Sequence, residues 1–573
     1  MMMTRYRTLV ALIWTFLLVL AAPVVLLAQD VRDVPDDQDV LGGMGFRDEV
    51  EVTVLNLEVY VRDADGRSVT DLTADDFRVF QDGQPRKITN FASYTEKSFA
   101  VIPEGGESPP GGGAALPPGI KPISVVIWVD NEHTRPVERS RVLSQISRFV
   151  SSFMRPPVRV MVVGYQRSVK VEQPFTGDVR LVKDALRRLR RAPASFSERD
   201  NRRREILRGL QNLRERDPNV SGGPMARMDL LSRIRSYADE MSQSLDMATG
   251  ALRQLILSLS GLPGRKYLIH VSSGLPAVTA RDLFEAHGNA FQRGSILPML
   301  SIYDRWSSWR SLAASANAQG VHMYMVDASG LASAGSASAA YASPVDPMTT
   351  AIYFNNRQQP LQLLADTTGG EAILNANDVT VGLERFREDL FTYYSIGYVV
   401  GAAGGDTVHR VEVTVPAHPD YDLRYRRTVV EKSLASQVQD RVLAALAFGV
   451  EHNPMGIGVE LGAASTATED RWLVPVTVTC PMSSLALVPR GEEAVGNATV
   501  FVAVRDRDGQ QSDLQRQEHE VRIPVADYNL LKDRHLTFTL DLLMVRGVFT
   551  VAVGVLDGVS HQASYAVVRR TIP

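Results

Sequence analysis

The sequence predicts a Rossmann-like α/β domain, a mostly parallel sheet with helices on both faces, flanked by β modules and followed by an immunoglobulin-like β-sandwich. Three observations predict it. From Lys121, short apolar runs alternate with helical spacings, the signature of strand–helix–strand units. Before that stretch, and again after Tyr393, apolar residues recur at every second position. From about residue 456 onward the chain reads as short strands and turns, spaced as in a sandwich of two sheets.

The first segment reads as an address. Arg5 and Arg7 precede an uncharged apolar run from Leu9 to Ala28, which reads as an export signal over 1–28. The run is long for such a signal, so an uncleaved membrane anchor is the alternative. Residues 29–47 are an acidic linker. Residues 48–97 form a β module: Val50, Val52, Val54, Leu57, Val59 and Val61 alternate, and Asp65-Gly66 and Asp82-Gly83 supply hairpin turns. Residues 98–120 form a linker, with five Pro and six Gly among positions 103–119.

The α/β domain spans 121–392. Ser124–Asp130 is a buried-strand run ending in a carboxylate, and Val142, Ile146, Phe149 and Val150 give the next helix its apolar face. Val158–Tyr165 is the next strand and Val169–Phe175 an edge strand. Helices are expected at Leu181–Leu189 and Met228–Leu259, the second ended by Gly261 and Pro263. Tyr267–Val271, Val321–Asp327 and Glu371–Leu374 are further strands. Ligands of such sheets sit at the carboxyl ends of the strands, where Asp130, Ser272 and Asp327 fall. Asp327 is expected to cap the following turn. Residues 328–343 read as a flexible Ala/Ser/Gly loop.

After the domain, strands over 393–432 are expected to return to the N-terminal module, because neither segment makes a core alone. Residues 433–455 are helix and linker, and 456–573 the sandwich.

The composition narrows function. Across 573 residues, 62 Lys+Arg stand against 65 Asp+Glu, a net charge of −3, so no global excess of charge marks a nucleic-acid binder. The single cysteine, Cys480, leaves no internal disulfide framework or Cys-rich zinc site, and a buried thiol is expected. One segment is locally basic: residues 187–235 hold 14 Arg against six acids. Its two readings are a polyanion-gripping surface and a solvated helical hairpin whose arginines pair with Glu198, Glu205, Glu215 and Asp217.

Several phrases resemble a known group. Val59–Gly66 (VYVRDADG), Leu72–Phe77, Phe80–Gly83, Leu262–Lys266, Ala318–Val321, Leu364–Gly370 and Tyr393–Tyr398 resemble the von Willebrand factor type A (VWA) related proteins of acidobacteria and other soil bacteria. The match covers about residues 50–430, and the resemblance implies an exported VWA domain with binding duties and no established enzymatic activity. Typical VWA domains hold Mg²⁺ or a like ion on Asp-x-Ser-x-Ser, a Thr from a second loop and an Asp from a third. Here the first loop reads Asp130-Asn131-Glu132-His133-Thr134. Asp130 matches, Thr134 replaces a serine, and Glu132 stands where the other serine belongs. The third loop offers Ser272-Ser273-Gly274 instead of Asp-Gly, and Ser221-Gly-Gly is the only candidate second-loop turn.

The metal set implied by the resemblance is therefore Asp130, Glu132 and Thr134, with Mg²⁺ or Mn²⁺ as the ion; because the loops depart from the pattern at several points, a degenerate, metal-free site is the other reading. The partner-binding set is Asp130–Thr134 with Ser272 and Ser273. No Gly-x-Ser-x-Gly elbow or phosphate-binding loop is present, so no enzyme is expected. The expected function is interaction with a protein or matrix ligand at the cell envelope, secreted or periplasmic, without nucleic acid and touching membrane only through an uncleaved anchor. The alternative is a structural scaffold with an inert VWA site.

Overall fold

The computed structural model describes residues 54–100, 120–193, 196–215, 223–291, 296–331, 347–400, 405–468, 470–507 and 509–572. The expected leader, the acidic linker, most of the Pro/Gly linker, the Ser221 turn and most of the 328–343 loop lie outside them. Among the described residues no helix is long and apolar enough to cross a membrane.

The central sheet has six strands. In spatial order they are Ala372–Ile373, Val321–Asp327, Arg265–Ser272, Ile123–Asp130, Val158–Gln166 and Ser168–Thr176. All pair in parallel except the last, which runs antiparallel along the edge. Counted along the chain the order is 3-2-1-4-5-6, that of the doubly wound fold. Every residue of Ile123–Asp130 and of Arg265–Ser272 is buried, because helices cover both faces. Alternate side chains enter opposite layers. Val126 and Trp128 pack under helices Phe196–Glu215, Gly223–Leu259 and Trp306–Ala318, whereas Val125, Ile127 and Val129 pack under Pro136–Phe153, Val179–Arg191 and Thr380–Phe391.

The α/β domain is an insertion in a β module. Strand Tyr393–Val399 lies between Val54–Arg62 and Ile88–Tyr94, antiparallel to both. A second sheet, built from Arg78–Gln81, Gln84–Arg86, Thr407–Thr414 and Thr428–Glu431, closes over it on Leu57, Val59, Phe77, Ile396, Tyr398, Val411 and Val413. The chain leaves at Tyr94 and re-enters at Tyr393. These two residues are register partners, and their rings stack with centroids 4.8 Å apart. Asp82 and Gly83 join two of these strands with positive φ (52° and 79°), the two-residue turn that matches strand twist.

The C-terminal region is a sandwich of two antiparallel sheets around Val476, Val478, Val500, Val502, Phe538, Val551 and Val553. Its boundary falls earlier than expected. Helix Leu434–Phe448, read from the sequence as part of a connecting segment, buries Val438 and Val442 against Phe501, Ala503 and Ala552 of the sandwich. Cys480 is free and buried, and burial pushes its thiol up to about 11.

Candidate functional site at the strand ends

The order of the sheet reverses between Ile123–Asp130 and Arg265–Ser272, and at such a switch point the two following loops open a crevice. Here the loops touch: the Ser273 N–H donates to the His133 carbonyl at 3.3 Å. All seven residues read from the sequence as partner-binding are brought to this place. None is at the surface: Asp130, Asn131, Glu132, His133, Thr134, Ser272 and Ser273 are each at most 4% exposed. The loops expected to meet a partner are thus closed over in this structure. Helices Phe196–Glu215 and Gly223–Leu259 pack over this end of the sheet and place their side chains on the loops.

Asp130 accepts three hydrogen bonds. Its Oδ1 accepts the backbone N–H groups of Glu132 and His133, both at 3.0 Å, and its Oδ2 accepts His133 Nδ1–H at 2.8 Å. Burial alone would raise this carboxyl. The charge and hydrogen bonds of His133 override burial and hold it below the usual carboxylate range. Glu132 forms a buried salt bridge with Arg199, whose guanidinium also reaches the Glu132 carbonyl at 3.4 Å. Asn131 accepts from Arg139 at 2.8 Å, and Ser273 donates to Glu138 at 2.5 Å. Three oxygens remain buried without a hydrogen-bond partner: Thr134 Oγ1, Ser272 Oγ and Glu132 Oε2. Asp327 caps its turn, accepting from the Ser329 N–H at 2.9 Å.

The arginine-rich segment meets the helical-pairing reading in part. Pairs at helical spacing include Arg202–Glu198 at 3.5 Å, Arg204–Asp200 at 3.0 Å and Arg233–Asp229 at 3.0 Å. The other contacts cross between elements: Arg199 to Glu132, Arg202 to Glu240, Arg203 to Asp282 at 2.8 Å, and Asp200 to Arg135 at 2.5 Å. Arg199 and Arg203 stand one turn apart on one helix face. That spacing was the available signal that the segment docks inward.

A divalent ion of the Mg²⁺ type wants about six oxygens around it. The residues do not fit one as they stand. Asp130 already accepts three N–H groups, so an ion would compete with the His133 ring for Oδ2, and Glu132 is paired with Arg199. Among the described residues no group of three or more His, Cys, Asp or Glu could hold a metal.

A second arrangement here was not legible in the sequence. His133 Nε2 lies 3.1 Å from Ser244 Oγ, so Asp130, His133 and Ser244 are linked in the order of a hydrolase relay. Ser244 sits mid-helix, where backbone N–H groups are tied into the helix and cannot serve an oxyanion, and the His133 ring is fully buried. The relay orients His133 toward Asp130.

No protein-family model matches the chain, and no curated protein matches it. Solved structures similar to it include an aerotolerance-related membrane protein from Bacteroides fragilis (12% identity, 47% of this chain and 98% of that one, TM-score 0.21). Another is the vWF domain of the type V pili tip protein Mfa5 from Porphyromonas gingivalis (11% identity, 47% and 95%, TM-score 0.24). A third is the pilus adhesin SpaC from Lactobacillus rhamnosus GG (9% identity, 79% and 56%, TM-score 0.25). This chain thus spans about half the length of SpaC.

Proposed function

We propose that the chain is a non-enzymatic, exported VWA-type interaction protein of the cell envelope. Its α/β domain recognises a protein or matrix ligand at the carboxyl ends of the strands, and its β modules, including an immunoglobulin-like C-terminal one, mount that domain. The observation that carries the reading is the convergence of carboxylates and hydroxyls of Asp130, Glu132, Thr134, Ser272 and Ser273 at the sheet's switch point. A second reading, an inert structural scaffold, is favoured by the closure of that face by Arg199 and its helix.

The test is biosensor binding of the mature chain to isolated envelope polysaccharide, peptidoglycan and envelope-protein fractions. The interaction reading expects a saturable response to one fraction, weakened at least tenfold by Glu132→Gln. A response indifferent to that substitution, or no response from a folded chain, leaves the scaffold.

A further inference from the structure

We propose that the strand-end site is a guanidinium site rather than a divalent-metal site, filled within the chain by Arg199. The inference builds on the interaction reading and names the chemistry that the face accepts.

Two carboxylates converge at the switch point, and each is already matched by nitrogen donors. Asp130 takes three N–H groups, one of them from the His133 ring. Glu132 takes Arg199, which arrives from a separate helix and reaches both its side chain and its carbonyl. A guanidinium offers five donors in a planar fork, which suits a carboxylate beside a carbonyl. An ion of the Mg²⁺ type would need a shell of oxygens around one point instead. The atoms left over fit the fork as well. Glu132 Oε2 is a buried acceptor without a partner, and the Thr134 and Ser272 hydroxyls, which can accept from N–H groups, are unpartnered too.

The helix that delivers Arg199 is seated by two further buried ion pairs, Arg203 with Asp282 at 2.8 Å and Asp200 with Arg135 at 2.5 Å. Arg199 also has a second carboxylate within reach, that of Glu240, whose other oxygen holds Arg202. The Arg199 Nε lies 3.7 Å from Glu240 Oε1, whose side chain is 41% exposed at the rim. Withdrawn to Glu240, Arg199 keeps a partner while Glu132 is bared. A ligand that exchanges with it presents an arginine side chain. A metal-bearing site would recruit the opposite, an acidic ligand.

The experiment is thermal unfolding of the mature chain and of Arg199→Ala, in EDTA, in millimolar MgCl₂ or MnCl₂, and in millimolar methylguanidinium chloride. The wild-type midpoint is expected to be the same in EDTA and in either metal. Arg199→Ala should unfold about 5 °C lower or more, since it strands a buried carboxylate. Methylguanidinium should raise the variant's midpoint and leave the wild type unmoved, while Mn²⁺ raises neither. A wild-type midpoint that rises with Mg²⁺ or Mn²⁺ overturns the proposal, as does rescue of the variant by metal but not by methylguanidinium.

Should Arg199→Ala not fold, Arg199→Ala/Glu132→Gln removes the stranded charge. It should fold and ignore methylguanidinium, and a rise there would place the probe elsewhere and sink the proposal. The interaction reading fails separately. If rescue is seen but no envelope fraction binds, the site chemistry stands and the reading does not.

Discussion

The central sheet carries a buried charged cluster at each end, and the two are built differently. At the amino end Asp389, 2% exposed, is surrounded by donors: Arg62 at 3.1 Å, Arg424 at 2.8 and 2.9 Å, and the Tyr324 hydroxyl at 2.6 Å. These come from two strands of the β module and one of the central sheet, and the atoms left unpaired there include the donor nitrogens Arg62 Nε and Arg265 Nε. At the carboxyl end the orphans include both the oxygens of Glu132, Thr134 and Ser272 and the donor nitrogen Arg139 Nε. Donors from two modules converging on the one carboxylate of Asp389 weld those modules together. At the carboxyl end Arg139, Arg199 and Arg357 each hold a different part of the loops, and Glu132 is left with one oxygen unmatched.

The largest effect should come from breaking the weld. Asp389→Ala leaves Arg62 and Arg424 buried without their shared counter-charge and removes the acceptor of Tyr324. Removing one partner of a buried pair costs about 3–5 kcal/mol. Urea unfolding of the variant should show a loss in that range, and a loss below about 1 kcal/mol would mean that the junction is held by its apolar contacts alone. Glu132→Gln at the opposite end should cost less, about 1–3 kcal/mol, because the amide still accepts one hydrogen bond and Arg199 can turn to Glu240. The comparison of the two ends fails if Glu132→Gln proves the more damaging in the same urea titration.

The weld and the site were legible to different degrees. Strand ends could be read directly: the apolar run closing on Asp130 and the one closing on Ser272 mark where loops begin, and both loops lie side by side in the structure. The two-residue period resuming at Tyr393 marked a β segment, and the pairing of Tyr393 with Tyr94 shows what it joins. What covers the loops could not be read. Arg199 reaches Glu132 across 67 residues and Ser244 reaches His133 across 111. Local spacing carries no signal for such contacts. A basic segment scores the same whether its arginines face water or a buried carboxylate, and only the one-turn spacing of Arg199 and Arg203 hinted at an inward face. For helix Leu434–Phe448 the sequence shows the helix and its apolar stripe but not the sheet that receives it.

The smallest effect tests the crowding of cationic groups at the amino end. Lys266 is buried there, with its Nζ donating to the Ser260 and Leu262 carbonyls at 3.1 and 3.2 Å. Burial first, then repulsion from Arg426 and Lys432, lowers its amine from 10.5 to about 8. The folded value lies below the unfolded one, so between about 8 and 10.5 the unfolded chain holds more protons. Stability therefore rises with pH across that window. The contribution is complete above about 10.5 and is lost as pH falls through about 8, an effect of up to about 3 kcal/mol. Lys266→Met removes the titrating group but keeps an unbranched chain in the same space. Urea midpoints of wild type and variant, followed across the window, should converge or cross as the wild type gains stability and the variant does not. Parallel curves would show that Lys266 titrates at its ordinary value, and that the amino end carries no surplus of positive charge to be relieved.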